Sequence, residues 1–232
     1  MRRPSSVELM LLVAIVLWAL NLTVTRYILT HGFQPLAYAT VRYGLAASIF
    51  VVLVLAVERS LRIARRDLPV VLAAVGALSV NQVAFVYSLK STSASVIALI
   101  LAATPLFVAL FGLLLGSEHL SRRFWTGAVV SSAGVVLVAL GSGGELRSDL
   151  GGVLLAILTA ATWAAYAVAI APLMRRYSPS RISAAVLSGT WVPLLLIGWP
   201  QTSSQDWALG WEVWTLLVLA TLGPLVVTNV LW

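Results

Sequence analysis

Eight apolar stretches, each long enough to cross a lipid bilayer, run through this 232-residue chain, at about 9–30, 35–57, 68–88, 93–116, 124–141, 151–173, 181–199 and 213–232. A run of roughly 20 apolar residues, wound as a helix, matches the hydrocarbon thickness. Backbone groups in lipid have no water to bond, so such runs must close their own hydrogen bonds. The expectation is an all-α integral membrane bundle of about eight transmembrane helices. Composition agrees: 60% hydrophobic residues, 10% charged residues and a mean hydropathy of +0.99 exclude an ordinary soluble domain. No loop is long enough to fold separately, which puts function inside the bundle.

The order of the spans restarts along the chain. Shifting by 145 residues (163 − 18) carries spans 1, 2 and 3 onto spans 6, 7 and 8, with Trp18-Ala19 on Trp163-Ala164 and Gly44 on Gly189. The repeat unit is five spans, an odd number, so its second copy is inverted in the membrane. Inverted repeats are a recurrent architecture of secondary transporters, with the substrate site near the midplane. Residues 8–141 then form a first five-helix repeat. Residues 151–232 form an incomplete second one of three helices.

Arginine placement orients the spans. Arg2 and Arg3 precede span 1, while Arg59, Arg62, Arg65 and Arg66 separate spans 2 and 3. Arg122 and Arg123 separate spans 4 and 5, and Arg175, Arg176 and Arg181 lie between spans 6 and 7. All these connections fall on one side, which predicts a cytoplasmic amino terminus. The net charge of +7 is explained by these loops, so nucleic acid is not an expected partner. The first apolar run is too long for a signal peptide and has no A-x-A cleavage site, so it reads as a retained helix.

The spans are poor in reactive groups. The chain has no cysteine, which excludes disulfides and thiolate metal sites. No Asp or Glu lies inside a span: Glu8 and Glu118 sit just beyond span ends, as do His31 and His119 near helix ends. Neither metal nor cofactor is expected, and a carboxylate-coupled proton exchanger is disfavoured. A membrane-embedded enzyme would need a nucleophile, an acid/base pair or a metal that the spans do not offer.

Polar and aromatic residues instead mark single helix faces. Trp18, Asn21 and Thr25 are spaced i, i+3, i+7 on span 1; Asn81, Phe85 and Ser88 do the same on span 3. Thr159, Trp163 and Tyr166 repeat the theme on span 6. Such faces serve either helix packing through interhelical hydrogen bonds or a cavity with amide contacts and aromatic walls. Arg42 lies about seven residues into span 2, deeper than the loop arginines. It is either an anchor for an anionic substrate group or a structural arginine that caps carbonyls or snorkels outward. Thr104-Pro105 and Gly223-Pro224 predict kinks in spans 4 and 8, each a candidate hinge. Gly112 with Gly116 and Gly127 with Ser131 read as close-packed helix seams.

These motifs resemble, in order and spacing, the EamA-like group of the drug/metabolite transporter superfamily. Trp18-Ala19-Leu20-Asn21 with Arg26 is similar to the family's first-helix pattern, and Arg42-Tyr43-Gly44-Leu45-Ala46-Ala47 to its second-helix arginine motif. The stretch from Tyr87 through Thr104-Pro105-Leu106-Phe107 to Leu115-Gly116-Ser117-Glu118-His119-Leu120-Ser121 resembles its most recognisable segment, continued by Gly127 and Gly134-Val135-Val136-Leu137. The second half resembles the family mainly through Trp163 and the span pattern.

The resemblance implies ten helices in two inverted halves, and efflux of amino-acid-like or drug-like metabolites across the bacterial inner membrane. Trp18, Asn21, Arg42, Asn81, Trp163 and Tyr166 are the expected substrate-binding residues, with Pro105 and Pro224 as hinges. Measured against ten helices, the chain is expected to lack two further spans, roughly 55 residues by the repeat offset. The expected partners are a small-molecule substrate and the lipid bilayer. A non-transporting fragment or assembly partner is the alternative.

Overall fold

The computed structural model describes residues 6–114, 121–141 and 149–231, and among these it holds no strand. In order come α1 (Ser6–Thr30), α2 (Pro35–Val57), α3 (Leu68–Ser91), α4 (Ala94–Leu101), α5 (Thr104–Leu114), α6 (Arg122–Gly141), α7 (Leu150–Ile170), α8 (Pro179–Ser204), α9 (Trp211–Thr221) and α10 (Thr228–Leu231). A π-helical segment, Leu222–Val227, joins α9 to α10. By length and composition, seven helical stretches can cross a membrane. The eighth expected span is α6, a helix of 20 residues, roughly 30 Å long at 1.5 Å per residue. The chain is thus an all-α, multi-pass membrane protein. Glu118, His119 and residues 115–120 of the family-like segment lie outside the described residues.

Many large apolar side chains point outward. Leu12, Ile15, Val52, Leu72 and Leu196 are exposed, whereas Ala37, Ala46, Ala74, Ala160 and Ala164 are buried. Lipid gives no hydrophobic drive for helix association, so close packing of small residues and interhelical hydrogen bonds must hold the helices together.

The chain divides into two compact units. The first comprises Met1–Ile63 and Arg176–Trp232, hence α1, α2, α8, α9 and α10; the second is Ala64–Arg175, hence α3 to α7. In the first unit α2 packs along α8. A Cβ on Gly198 would stand 2.8 Å from Thr40 Oγ1 and 3.2 Å from the Leu36 carbonyl oxygen, so only glycine permits this approach. The Thr40 hydroxyl donates to the Leu194 carbonyl at 3.0 Å.

Both ends of the α2–α8 pair are tied. The first backbone N–H groups of a helix have no partner within it, and the Gln34 side chain does not cap α2. Gln201 of α8 and Gln205, the residue just past its end, supply the acceptors instead: Gln34 N donates to Gln205 Oε1 at 2.7 Å and Leu36 N to Gln201 Oε1 at 2.8 Å. At the opposite end Glu58 receives Arg181 through Nη2 at 2.7 Å and Nε at 2.9 Å, and also accepts from the Ser178 hydroxyl. Ser178 in turn caps α8 by accepting from Arg181 N at 3.1 Å.

In the second unit α3 packs along α7. A Cβ on Gly152 would come within 3.0 Å of Thr92 Cβ and 3.1 Å of Ser91 Cβ. The expected kink in span 4 is a full break: α4 ends at Leu101 and α5 starts at Thr104. Pro105 has no N–H to return to the Leu101 carbonyl, and the Thr104 hydroxyl takes that acceptor at 2.6 Å. The seam expected at Gly127 is not formed, since an added Cβ there meets nothing within 4 Å.

Candidate functional site

Arg42 is the centre of a buried polar cluster in the first unit. It is 2% exposed, and Asn21 is equally buried, so the side chain does not snorkel to an interface. Arg42 Nε and Nη2 donate to the Ala220 carbonyl at 3.2 and 2.9 Å, and Nη2 also donates to Asn21 Oδ1 at 2.9 Å. The guanidinium carbon lies 5.7 Å from the centre of the Tyr38 ring. Thr25 closes the cluster, its Oγ1 donating to Asn21 Oδ1 at 3.4 Å and lying 3.0 Å from the Tyr38 hydroxyl.

The local sequence explains the arrangement. In an α-helix the N–H of residue 224 would bond the carbonyl of residue 220, but proline has no N–H. Pro224 therefore frees the Ala220 carbonyl, and the backbone relaxes into the π-helical turn, where Thr228 N bonds Gly223 O. A buried ion is tolerated only when hydrogen-bonded or paired. Here the acceptors are neutral: Arg42 bonds a backbone carbonyl and an amide oxygen, and it takes part in neither the Arg66–Asp67 nor the Arg181–Glu58 ion pair. Of the two expectations for Arg42, the structure displays carbonyl capping.

Asn81 heads a second cluster, in the other unit. It is 2% exposed, and its Nδ2 donates to the Thr159 carbonyl at 2.7 Å and to Thr162 Oγ1 at 3.3 Å. Its Oδ1 accepts from Gln82 Nε2 at 2.9 Å. Asn81 thus fastens α3 to α7 beside the face that carries Trp163 and Tyr166, whose ring centroids are 5.3 Å apart. Trp163 is half-buried and Tyr166 buried; Trp18, one turn before Asn21 on α1, is half-buried. The structure therefore joins Asn21 with Arg42 in one unit, and in the other bonds Asn81 of α3 to α7, the helix that carries Trp163 and Tyr166.

Cavities are present in the second unit, and two of them bear on the expected residues. The larger, about 660 Å³, runs between α3, α5 and α7 and is lined by Pro69, Val70, Phe111, Leu114, Ala165 and Pro172. It is apolar and holds none of the expected site residues except by proximity along α7. The smaller, about 300 Å³, lies at the break before α5, against Pro105, Arg123, Phe124 and Gly127. Among the described residues, no group of three or more His, Cys, Asp or Glu could hold a metal ion.

The sequence reading missed several residues that matter here. Phe33, Tyr38, Trp207 and Trp214 form an aromatic cluster, with Phe33 centred 5.9, 6.0 and 5.8 Å from the other three rings. Its members come from distant segments, and only the pairing of α2 with α8 and α9 brings them together. The capping glutamines Gln201 and Gln205, and the Glu58–Arg181 pair, were equally hidden.

Comparison with known proteins fits this picture. The uncharacterized transporter YdfC of Bacillus subtilis (strain 168) is 29% identical over 107 residues, which is 46% of this chain and 35% of that protein. The matched stretch thus spans about a third of the relative's length. A crystal structure of another protein aligns with 98% of this chain and 77% of its own, with a TM-score of 0.73 at 22% identity, a likeness of fold. The EamA-like transporter family matches residues 5–140. That is more than half of the chain, and it covers α1 with Asn21, α2 with Arg42 and α3 with Asn81: the protein belongs to the EamA-like transporter family.

Proposed function

We propose that this chain acts as a secondary transporter of small organic metabolites, amino-acid-like or drug-like, exporting them by alternating access. The observation that carries the reading is the family match over residues 5–140. It falls on a membrane bundle whose buried polar groups include a cation held by neutral acceptors. Residues 8–141 and 151–232 are its inverted repeats. The pairing of helices supports that assignment. Exchanging spans 1, 2 and 3 for spans 6, 7 and 8 maps α2–α8 onto itself and α3–α7 onto the pairing of α1 with α9, and all three pairings occur.

Trp18, Asn21 and Arg42 supply the substrate contacts of one unit, and Asn81, Trp163 and Tyr166 those of the other. Arg42 attracts an anionic group of the substrate, since an ionised acceptor bonds a guanidinium more strongly than an amide or carbonyl does. The breaks at Pro105 and Pro224 act as hinges. The protein sits in the bacterial inner membrane with its amino terminus in the cytoplasm, which puts the Glu58–Arg181 end of α2–α8 inside and the glutamine-capped end outside. It works as a carrier rather than an enzyme.

Flux of a candidate metabolite in vesicles bearing the full-length protein tests this reading. Transport above protein-free vesicles is expected, reduced when Asn21 and Asn81 are both replaced by alanine. Unchanged flux in that double variant removes both amides from the site.

A further inference from the structure

The Arg42 cluster has hydrogen-bonding capacity left over. The bonds of the cluster run through Arg42 Nε and Nη2 and through Asn21 Oδ1, so Arg42 Nη1 and Asn21 Nδ2 take no part in them. They belong to the two groups joined by the 2.9 Å bond from Arg42 Nη2 to Asn21 Oδ1, one on each side of it. Nε and Nη2 meanwhile converge on the single oxygen of Ala220, whereas a guanidinium fork is matched best by the two oxygens of a carboxylate.

The geometry points to an exchange of acceptors at Arg42. In the empty protein the guanidinium holds the carbonyl that Pro224 frees; in the loaded protein it holds a substrate carboxylate, and the π-helical segment Leu222–Val227 is released. This rests on the reading of Arg42 as an anion anchor and adds the link from binding to movement. Once Arg42 turns to the carboxylate, the Ala220 carbonyl is a buried acceptor without its donor. Pro224 cannot supply one, so the segment must change its own hydrogen bonding. A π turn within a helix is a common place for such rearrangement. Because the two events share one donor group, carboxylate binding favours the opened segment, and the opened segment favours carboxylate binding, by the same factor.

The chain has no cysteine, so Leu225→Cys places a unique label within the segment, at a residue that is 4% exposed. The full-length protein carrying Leu225→Cys as its sole cysteine is treated with a small maleimide in sodium chloride, or at equal ionic strength in sodium acetate, benzoate or phenylacetate. Binding is read separately, as the shift in melting temperature of the unlabelled protein. The expected result is a carboxylate that raises the melting temperature and speeds labelling about fivefold or more. Arg42→Gln loses both effects. Pro224→Ala gives Ala220 its helical donor back, so it keeps the melting shift and loses the gain in labelling. Arg42→Lys, which retains the charge without the fork, keeps a reduced melting shift.

A melting shift without faster labelling overturns the exchange and leaves the anion anchor standing. Faster labelling that persists in Pro224→Ala also overturns it. If no carboxylate shifts the melting temperature, the anchor fails together with the exchange, while the vesicle flux experiment still decides the carrier reading on its own.

Discussion

Arg42 on α2 donates from both Nε and Nη2 to the carbonyl of Ala220 on α9, at 3.2 and 2.9 Å, across 178 residues of sequence. That carbonyl is available because Pro224, four residues on, has no N–H. The charge therefore repairs a backbone defect made by a proline, and the two residues form one energetic unit. Replacing Arg42 by methionine should destabilise the protein by about 1–3 kcal/mol, the cost of a buried acceptor left without a donor. In a Pro224→Ala background the same replacement should cost clearly less, because the helix then supplies its own N–H. Unfolding of the four proteins of this cycle in detergent measures the coupling. Equal losses in both backgrounds would show that the two residues act independently.

The amino-terminal turn of α2 depends on side chains at the end of another helix. Gln205 and Gln201 accept from Gln34 N and Leu36 N. Changing either glutamine to leucine should cost about 0.5–2 kcal/mol, in the range of a lost helix cap. Hydrogen exchange at the amides of residues 34 and 36 should accelerate selectively. No local acceleration would mean that water replaces the glutamines at no cost.

The opposite end of α2 and α8 behaves differently, since its tie is ionic. The Glu58 and Arg181 side chains are 20% and 23% exposed, so the pair should contribute about 1 kcal/mol or less. Glu58→Gln should lower the melting temperature slightly at low ionic strength. The difference should fade as added salt screens the charges. A deficit independent of salt would assign the effect to the Ser178 hydrogen bond instead.

Two glycines on the α2–α8 seam should differ in sensitivity. An alanine Cβ at Gly44 would lie 2.7 Å from Nε1 of the Trp191 ring, a side chain that can turn aside. At Gly198 the clash includes the Leu36 carbonyl oxygen at 3.2 Å, which moves only with the helix. Gly198→Ala should cost about 1–3 kcal/mol, as overpacking does, and Gly44→Ala less. Truncating Trp191 to leucine should rescue Gly44→Ala, and truncating Thr40 to alanine should rescue Gly198→Ala only in part. Melting temperatures of these variants decide the order.

The spans were legible because lipid forces the issue: about 20 apolar residues are compulsory for each crossing, and polar residues spaced i, i+3, i+7 mark one face whatever that face does. The partners of those polar residues were not legible. Asn81 was identified from its spacing, yet its acceptor is the Thr159 backbone carbonyl, and a carbonyl leaves no trace in residue type. Arg42 was identified from its depth in span 2, and Pro224 as a kink. That the proline creates the acceptor for the arginine follows only once α9 is known to lie against α2. Thr104-Pro105 announced an interruption, but residue types do not show that the Thr104 hydroxyl takes up the Leu101 carbonyl that the proline leaves free. Gly127 shows the reverse limit: small residues at seam spacing permit close packing without requiring it.

The most direct test of the carrier reading is flux through inside-out vesicles that hold the full-length protein. They are offered a mixed pool of amino acids and related organic acids, and uptake is read by mass spectrometry against protein-free vesicles. At least one compound is predicted to accumulate faster with the protein, and for carboxylate-bearing compounds the gain should vanish in Arg42→Gln. Identical uptake with and without the protein, across the whole pool, would contradict the account.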